Sequence, residues 1–210
     1  MKYLGKPAGM WALFAGSFEK HLTVEFDLTA GQAKDVAARA KKKYREIIAK
    51  LPEFDKRDRF EMNIVNCAML AAFILCMPQR PDIKTLTDYY AAAMMTPTMK
   101  AFCRASGKKK FTPKDIEGMK ATAKLRAGDR NPYSWNMDFF EYEDGSGYEA
   151  RFTTCGICTL MQGLGLYDLT PALCHLDYTM SDAGGASDFV REYTLASGGP
   201  YCDCGYHKKQ

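Results

Sequence analysis

Five of the chain's eight cysteines, Cys155, Cys158, Cys174, Cys202 and Cys204, fall in one stretch that also carries Asp177 and Arg191. These residue types can do chemistry together. A thiolate attacks electrophilic carbon, a carboxylate moves protons, and a guanidinium holds a carboxylate by two parallel hydrogen bonds. Cys155 follows a predicted strand and precedes a predicted short helix, and a helix N-terminus favours thiolate over thiol. Cys174 and Asp177 stand three apart on a predicted helix, so they share a face, while His175 points elsewhere. Arg191 falls in a predicted strand beside a turn. Cys202 and Cys204 flank Asp203, and strand alternation puts both on one side.

Each of these residues also has a plainer reading. Cys155 and Cys158 can be packed thiols at the start of a short helix, Asp177 a surface acid, and Arg191 a solvated strand residue. Met161, Leu164, Leu166 and Leu173 read as packing. Cys155-x-x-Cys158 has the spacing of half a zinc site, but Cys202-x-Cys204 is not the usual second half. A redox pair at Cys155 and Cys158 lacks the βαβ surroundings of thioredoxin-like proteins.

The elements that must position these residues change character along the chain. The first two-thirds read as helices. Thr29 can cap a helix to about Lys50, with Ala33, Val36, Ala37, Ala40, Tyr44, Ile47, Ile48 and Leu51 at helical spacing. A second helix, from about Asp58 to Met77, is apolar nearly all round and therefore central. A third runs from about Asp82 to Ser106 with a break before Pro97. Thr112-Pro113 opens a fourth, ending near Gly128. From Tyr133 the period changes: Tyr133, Trp135, Met137 and Phe139 alternate with polar residues as a strand does. The phase slips at Phe139-Phe140, which predicts a bulge or a strand covered on both faces. Residues 143–147 form a turn, and Tyr148 to Thr154 the returning strand. Gly156 to Gly163 reads as a short helix, and Thr170 with Pro171 starts another. Phe189 to Ala196 and Tyr201 to His207 read as strands joined at residues 197–200. The fold class is α+β: one domain, helical over residues 1–130, packed on an antiparallel sheet formed mainly by residues 131–210.

Bulk properties narrow the function classes. Nearly half the 210 residues are apolar, enough for a substantial core. A net charge of +4, with both signs interspersed, is no nucleic-acid footprint. The basic run Lys41 to Arg45 reads as a solvated helix face. The apolar patch from Met10 to Ala15 is too brief for a signal peptide, and Asn63 to Met77 too short to span a bilayer. Cys67, Cys76 and Cys103 sit in apolar stretches as buried thiols. A cytoplasmic protein without disulfides, acting on a small molecule and needing no cofactor or metal, is the expectation.

Four pieces recur here in an order that resembles the L-2-amino-thiazoline-4-carboxylic acid hydrolase family. They are Thr153-Thr154-Cys155 after a strand, Cys174-His175-Leu176-Asp177, Arg191-Glu192-Tyr193-Thr194-Leu195-Ala196-Ser197-Gly198, and the closing Cys202-Asp203. The resemblance spans about Tyr133 to Tyr206, with the apolar stretch around Asn63 also similar. This chain departs at Thr154, where an arginine is often found, and at Cys204, where an aromatic is expected.

The resemblance implies hydrolytic opening of a cyclic amidine-like carbon in a thiazoline amino acid, giving an S-carbamoyl cysteine. It implies Asp177 as general base or acid, Cys155 or Cys174 as nucleophile, Arg191 as anion clamp, and Thr154 and Cys202 beside the substrate. The alternative is a non-catalytic small-molecule or zinc-binding module, since Gly198-x-x-x-Cys202 also looks like the end of the 4-vinyl reductase domain.

Overall fold

In the computed structural model, which describes residues 7–128 and 130–209, helix α2 (Ala30–Lys50) begins as its sequence requires. The Thr29 hydroxyl accepts the Gln32 amide at 3.3 Å and the Gln32 side chain accepts the Thr29 amide at 2.9 Å. This reciprocal box satisfies two of the amides that a helix start leaves unpaired. The stripe Ala33, Val36, Ala37, Ala40, Tyr44 and Ile47 is buried, and α2 packs on α3 (Glu61–Cys76). Helix α3 is buried on nearly every side, as an all-round apolar helix must be. Helix α1 (Pro7–Glu25), where the sequence reading assigned no element, buries only Met10, Phe14, Phe18 and Leu22. That one-residue-per-turn stripe is thin, which is why the period does not announce it. Residues 1–6, part of the stretch weighed as a leader, lie outside the described residues.

Helices α4 (Ile83–Met94) and α5 (Pro97–Gly107) divide before Pro97, with Asp82 and Thr96 accepting the amides of their first turns. Thr112 caps α6 (Pro113–Arg126). The sheet comprises β1 (Asp138–Glu141), β2 (Gly147–Phe152), β3 (Ser187–Val190) and β4 (Cys202–Lys208), in the order β1-β2-β4-β3 with every pairing antiparallel. Helices α7 (Gly156–Gly163), α8 (Thr170–Cys174) and α9 (Leu176–Gly184) connect β2 to β3. The architecture is α+β, with the helices mostly N-terminal and the sheet in the C-terminal part. One buried cluster joins α1–α4 to α7, α8, Trp135 and Cys155; a second joins Met119 of α6 to Tyr148, Ala150, Phe189, Cys202 and Cys204 of the sheet. Among the described residues, no helix is long and apolar enough to cross a membrane.

Four local expectations are corrected. Tyr133 to Met137 is not strand, because distant partners take the polar groups that a ladder would use. The Trp135 carbonyl accepts Arg126 Nε at 2.8 Å and the Asn136 amide donates to Thr154 Oγ1 at 2.8 Å, while the Ser134 side chain donates to Asp58. Asn136 Oδ1 accepts the amides of Thr153 and Thr154 at 2.9 and 2.8 Å. No bulge interrupts β1: its register on β2 runs unbroken from Asp138↔Arg151 to Glu141↔Tyr148. Phe139 turns inward while Phe140 stays 46% exposed under the Arg151 guanidinium, 5.0 Å away. The third strand stops at Val190, and residues 195–197 form a 3-10 turn. Thr170 does not cap α8 but is its first residue, with its hydroxyl oxygen buried and unpartnered among the described residues.

Candidate functional site

Arg191 sits where the chain leaves the sheet. The Asp203 carboxylate on β4 accepts the amides of Glu192 at 2.8 Å and Tyr193 at 2.6 Å, diverting them from the ladder. The Cys202 sulfur accepts the Leu195 amide at 3.2 Å. The segment so anchored turns the Arg191 side chain inward, leaving it only 6% exposed. Nη1 donates to the Cys174 carbonyl at 3.0 Å; Nη2 donates to the Cys204 sulfur at 3.0 Å and to the Asp177 carboxylate. The guanidinium rests on the Phe189 ring, 4.7 Å from its centroid. Its Nε is buried and has no partner among the described residues. The Asp177 side chain, by contrast, is 46% exposed. One end of this ion pair is enclosed and the other meets water.

Cys174 and Asp177 do not lie on one continuous helix, because the chain steps from α8 to α9 at His175. His175 keeps right-handed helical angles (φ −68°, ψ −19°), so the step is small and both residues still meet Arg191. Cys202 and Cys204 share a side of β4, as alternation requires, and both are buried. Burial pushes the Cys174 thiol up, with the nearby Cys155 adding to the effect, and pushes Cys204 up to about 12. Both are therefore neutral thiols near neutral pH.

Cys155 behaves oppositely. It occupies the N-cap of α7 with extended angles. The neighbouring Cys158 thiol favours the charged form of Cys155 more than burial opposes it, and its pKa is lowered. Cys158 is pushed up, first by its pairing with Cys155 and then by burial. The next residue has to be glycine: a Cβ on Gly156 would lie 2.1 Å from the Tyr133 carbonyl oxygen.

The structure therefore brings Asp177, Arg191, Cys174 and Cys204 into direct contact, with Cys202 anchoring the loop beside them. Cys155 and Cys202 are close enough to Cys174 for a charge on either to raise its pKa. Thr154 lies apart from Arg191, exposed, its hydroxyl oxygen accepting the Asn136 amide at 2.8 Å. Lys110, which the sequence marks only as part of a turn, folds inward. Its ammonium lies 3.3 Å from the Tyr206 ring centroid, and burial lowers its pKa to about 8. The Lys108–Lys110 run was the available signal, but nothing local says which of the three lysines folds inward.

A cavity of about 230 Å³ opens beside this cluster, lined by Cys174, His175, Tyr178, Arg191, Thr194 and Ser197 among others, with Asp177 and Cys204 outside the lining. It is smaller than the roughly 300–1,000 Å³ of sites for drug-sized ligands, and suits a small polar molecule. A second cavity of about 200 Å³, lined by Lys43, Ile47, Leu75 and Leu160 among others, holds none of the predicted site residues. Among the described residues no group of three or more His, Cys, Asp or Glu is arranged to hold a metal ion.

The family model of L-2-amino-thiazoline-4-carboxylic acid hydrolase matches residues 62–206. The chain belongs to this family. The match runs from α3 into β4, covers well over half of the chain, and contains every residue of the Arg191 cluster. The four pieces after Tyr133 thus lead to the hydrolase family whose model matches, and the likeness reaches further into the helices than those pieces do. No curated protein and no solved structure matches the chain.

Proposed function

We propose that this member of the hydrolase family opens the ring of a thiazoline carboxylate by adding water across its cyclic amidine-like carbon, giving an S-carbamoyl cysteine. One observation carries the reading: Arg191 lines a small cavity, its guanidinium is buried with one unpartnered N–H, and it is paired to a carboxylate that faces solvent. Buried donors are almost always satisfied in folded proteins, so the enclosed, unpartnered Nε–H leaves this cavity-lining arginine with one hydrogen bond to make when a ligand displaces the groups around it. The carboxylate of the substrate supplies the acceptor, and guanidinium geometry suits it.

Asp177 then acts as the general base. It takes a proton from water as the oxygen adds to the amidine carbon, and returns a proton to the ring nitrogen as the carbon–nitrogen bond breaks. The oxygen becomes the carbonyl of the carbamoyl group, the sulfur stays bonded to it, and the ring nitrogen leaves as the amine. The cysteines divide the requirements of a covalent route between them. Cys174 lines the cavity but is held as a thiol; Cys155 favours the thiolate but, unlike Asp177, is not bonded to the cavity-lining Arg191. That division favours water over sulfur as the attacking group.

The test is direct. The purified chain is incubated with 2-amino-thiazoline-4-carboxylate, and the product is identified by mass spectrometry. Formation of the carbamoyl product by wild type, with retained binding but no turnover in Asp177→Asn, supports the reading. Binding by wild type without any turnover would instead make the cavity that of a ligand-binding module.

A further inference from the structure

Two opposite charges line the cavity beside the Arg191 cluster, and the hydrolysis proposed above uses only one of them. Arg191 and Glu192 are neighbours in the chain, and both belong to the lining. Among the described residues around this cavity, Glu192 carries the one carboxylate and Arg191 the one permanent cation. Their backbone is held in place, since the Asp203 carboxylate accepts the Glu192 amide at 2.8 Å and the Tyr193 amide at 2.6 Å. The Arg191 guanidinium is given to Cys174, Asp177 and Cys204, not to Glu192. Glu192 is exposed and makes no ion pair among the described residues, although its carboxylate pushes the neighbouring Tyr193 phenol up. The rest of the lining offers little to a cation: Cys174 is held as a thiol, and the Thr194 hydroxyl oxygen accepts the Ser197 amide at 3.1 Å. The His175 and Tyr178 rings, with centroids 5.2 Å apart, give the cavity an aromatic wall.

A 2-amino-thiazoline ring is an isothiourea. Protonated at its ring nitrogen, it is a flat cation with two N–H groups side by side, the fork that a guanidinium also presents to a carboxylate. With its 4-carboxylate it is a zwitterion whose opposite charges are attached at neighbouring ring atoms. We propose that Glu192 is the specificity-determining residue of this cavity, pairing with the amidinium end of the ligand while Arg191 meets its carboxylate. Resting on the assignment of the cavity to a thiazoline carboxylate, this pairing narrows the ligand to one class. It is a small cyclic amidinium carboxylate, taken in preference to a plain carboxylate of the same size. An opposite charge nearby also favours the protonated ring, the form whose carbon between nitrogen and sulfur is most open to water.

The experiment measures dissociation constants on the full-length chain by ligand-detected NMR, from the first spectra after mixing. The two probes are 2-amino-thiazoline-4-carboxylate and thiazole-4-carboxylate, which keeps a flat ring and the carboxylate but carries no cation. Wild type is expected to bind the first about tenfold more tightly, the size of a charge-assisted hydrogen-bonded pair. Glu192→Gln removes the charge at an exposed position and should bring the first probe down to the second, leaving the second unchanged. Glu192→Lys reverses the charge and should lose the first probe while tightening the second. Equal affinities in wild type, no binding of either probe, or an equal loss of both in Glu192→Gln would each overturn the proposal. Hydrolysis is followed in the same samples. Binding that depends on Glu192 without any hydrolysis defeats the hydrolase reading alone; hydrolysis with an unchanged KM in Glu192→Gln defeats the Glu192 pairing alone.

Discussion

Among the described residues, two arginine–aspartate pairs have a buried guanidinium, and they are built for different ends. Arg126 and Asp58 are 3.2 Å apart with side chains 2% and 1% exposed. Asp58 also accepts the Ser134 hydroxyl and the Phe60 amide, and Arg126 Nε donates to the Trp135 carbonyl. This pair ties the start of α3, the end of α6 and the loop before β1 into one closed network. Arg191 and Asp177 use the same chemistry but leave it open: the carboxylate meets water and Nε has no partner among the described residues. A closed pair has all its hydrogen bonds made and so stabilises; an open pair keeps one to give a ligand.

The largest test of this contrast is Asp58→Asn. It strands a buried guanidinium charge and is expected to destabilise the fold by about 3–5 kcal/mol, read by denaturant unfolding. Thiazoline turnover per folded molecule should not change; a stable but inactive variant would exchange the roles of the two pairs. Asp177→Asn is expected to do the reverse. Turnover falls by about a hundredfold or more, while unfolding free energy changes by at most about 1 kcal/mol, because half-exposed ion pairs contribute little. A large loss of stability there would class it with the closed pair. Arg191→Lys keeps the charge but loses the flat fork, and should raise KM for the thiazoline carboxylate about tenfold with a smaller effect on kcat. An unchanged KM would remove Arg191 from substrate binding.

The smallest effect concerns Glu61, beside the closed pair. It is buried with Oε1 unpartnered among the described residues, and burial, aided by the charge of Asp58, pushes its carboxyl from 4.5 up to about 7. Because the folded value lies above the ordinary one, the stability tied to the protonated form is fully present below pH 4.5 and lost as pH rises through about 7. Glu61→Gln should flatten that decline and stabilise the protein by about 1 kcal/mol above neutrality, leaving turnover alone. A stability curve still falling across that window in the variant would place the titration elsewhere.

What the sequence made legible shares one property: the deciding partners are near in the chain. Thr29 and Gln32 close their capping box within one turn, Pro97 breaks a helix at its own position, and Cys202 and Cys204 share a side because strands alternate. The errors share the opposite property. Tyr133 to Met137 alternates as a strand should, but Asp58 and Arg126 claim its polar groups from elsewhere in the chain. The strand expected through Ala196 ends early because Asp203 captures two of its amides. The candidate site follows the same division. Cys174, Asp177 and Arg191 were legible as residue types in an order shared with the hydrolase family. Lys110, the capture of two amides by Asp203 and the enclosure of Cys204 against Arg191 were not.

By itself, then, the sequence determined the α+β class, the family and the starts of α2, α4 and α6; of the site residues it singled out, Cys174 and Arg191 line the cavity. Only the tertiary structure decided which arginine–aspartate pair is closed and which is open, and which cysteine favours the thiolate. Those outcomes depend on burial and on donors brought in by other segments, and a side chain's own position in the chain carries no record of either.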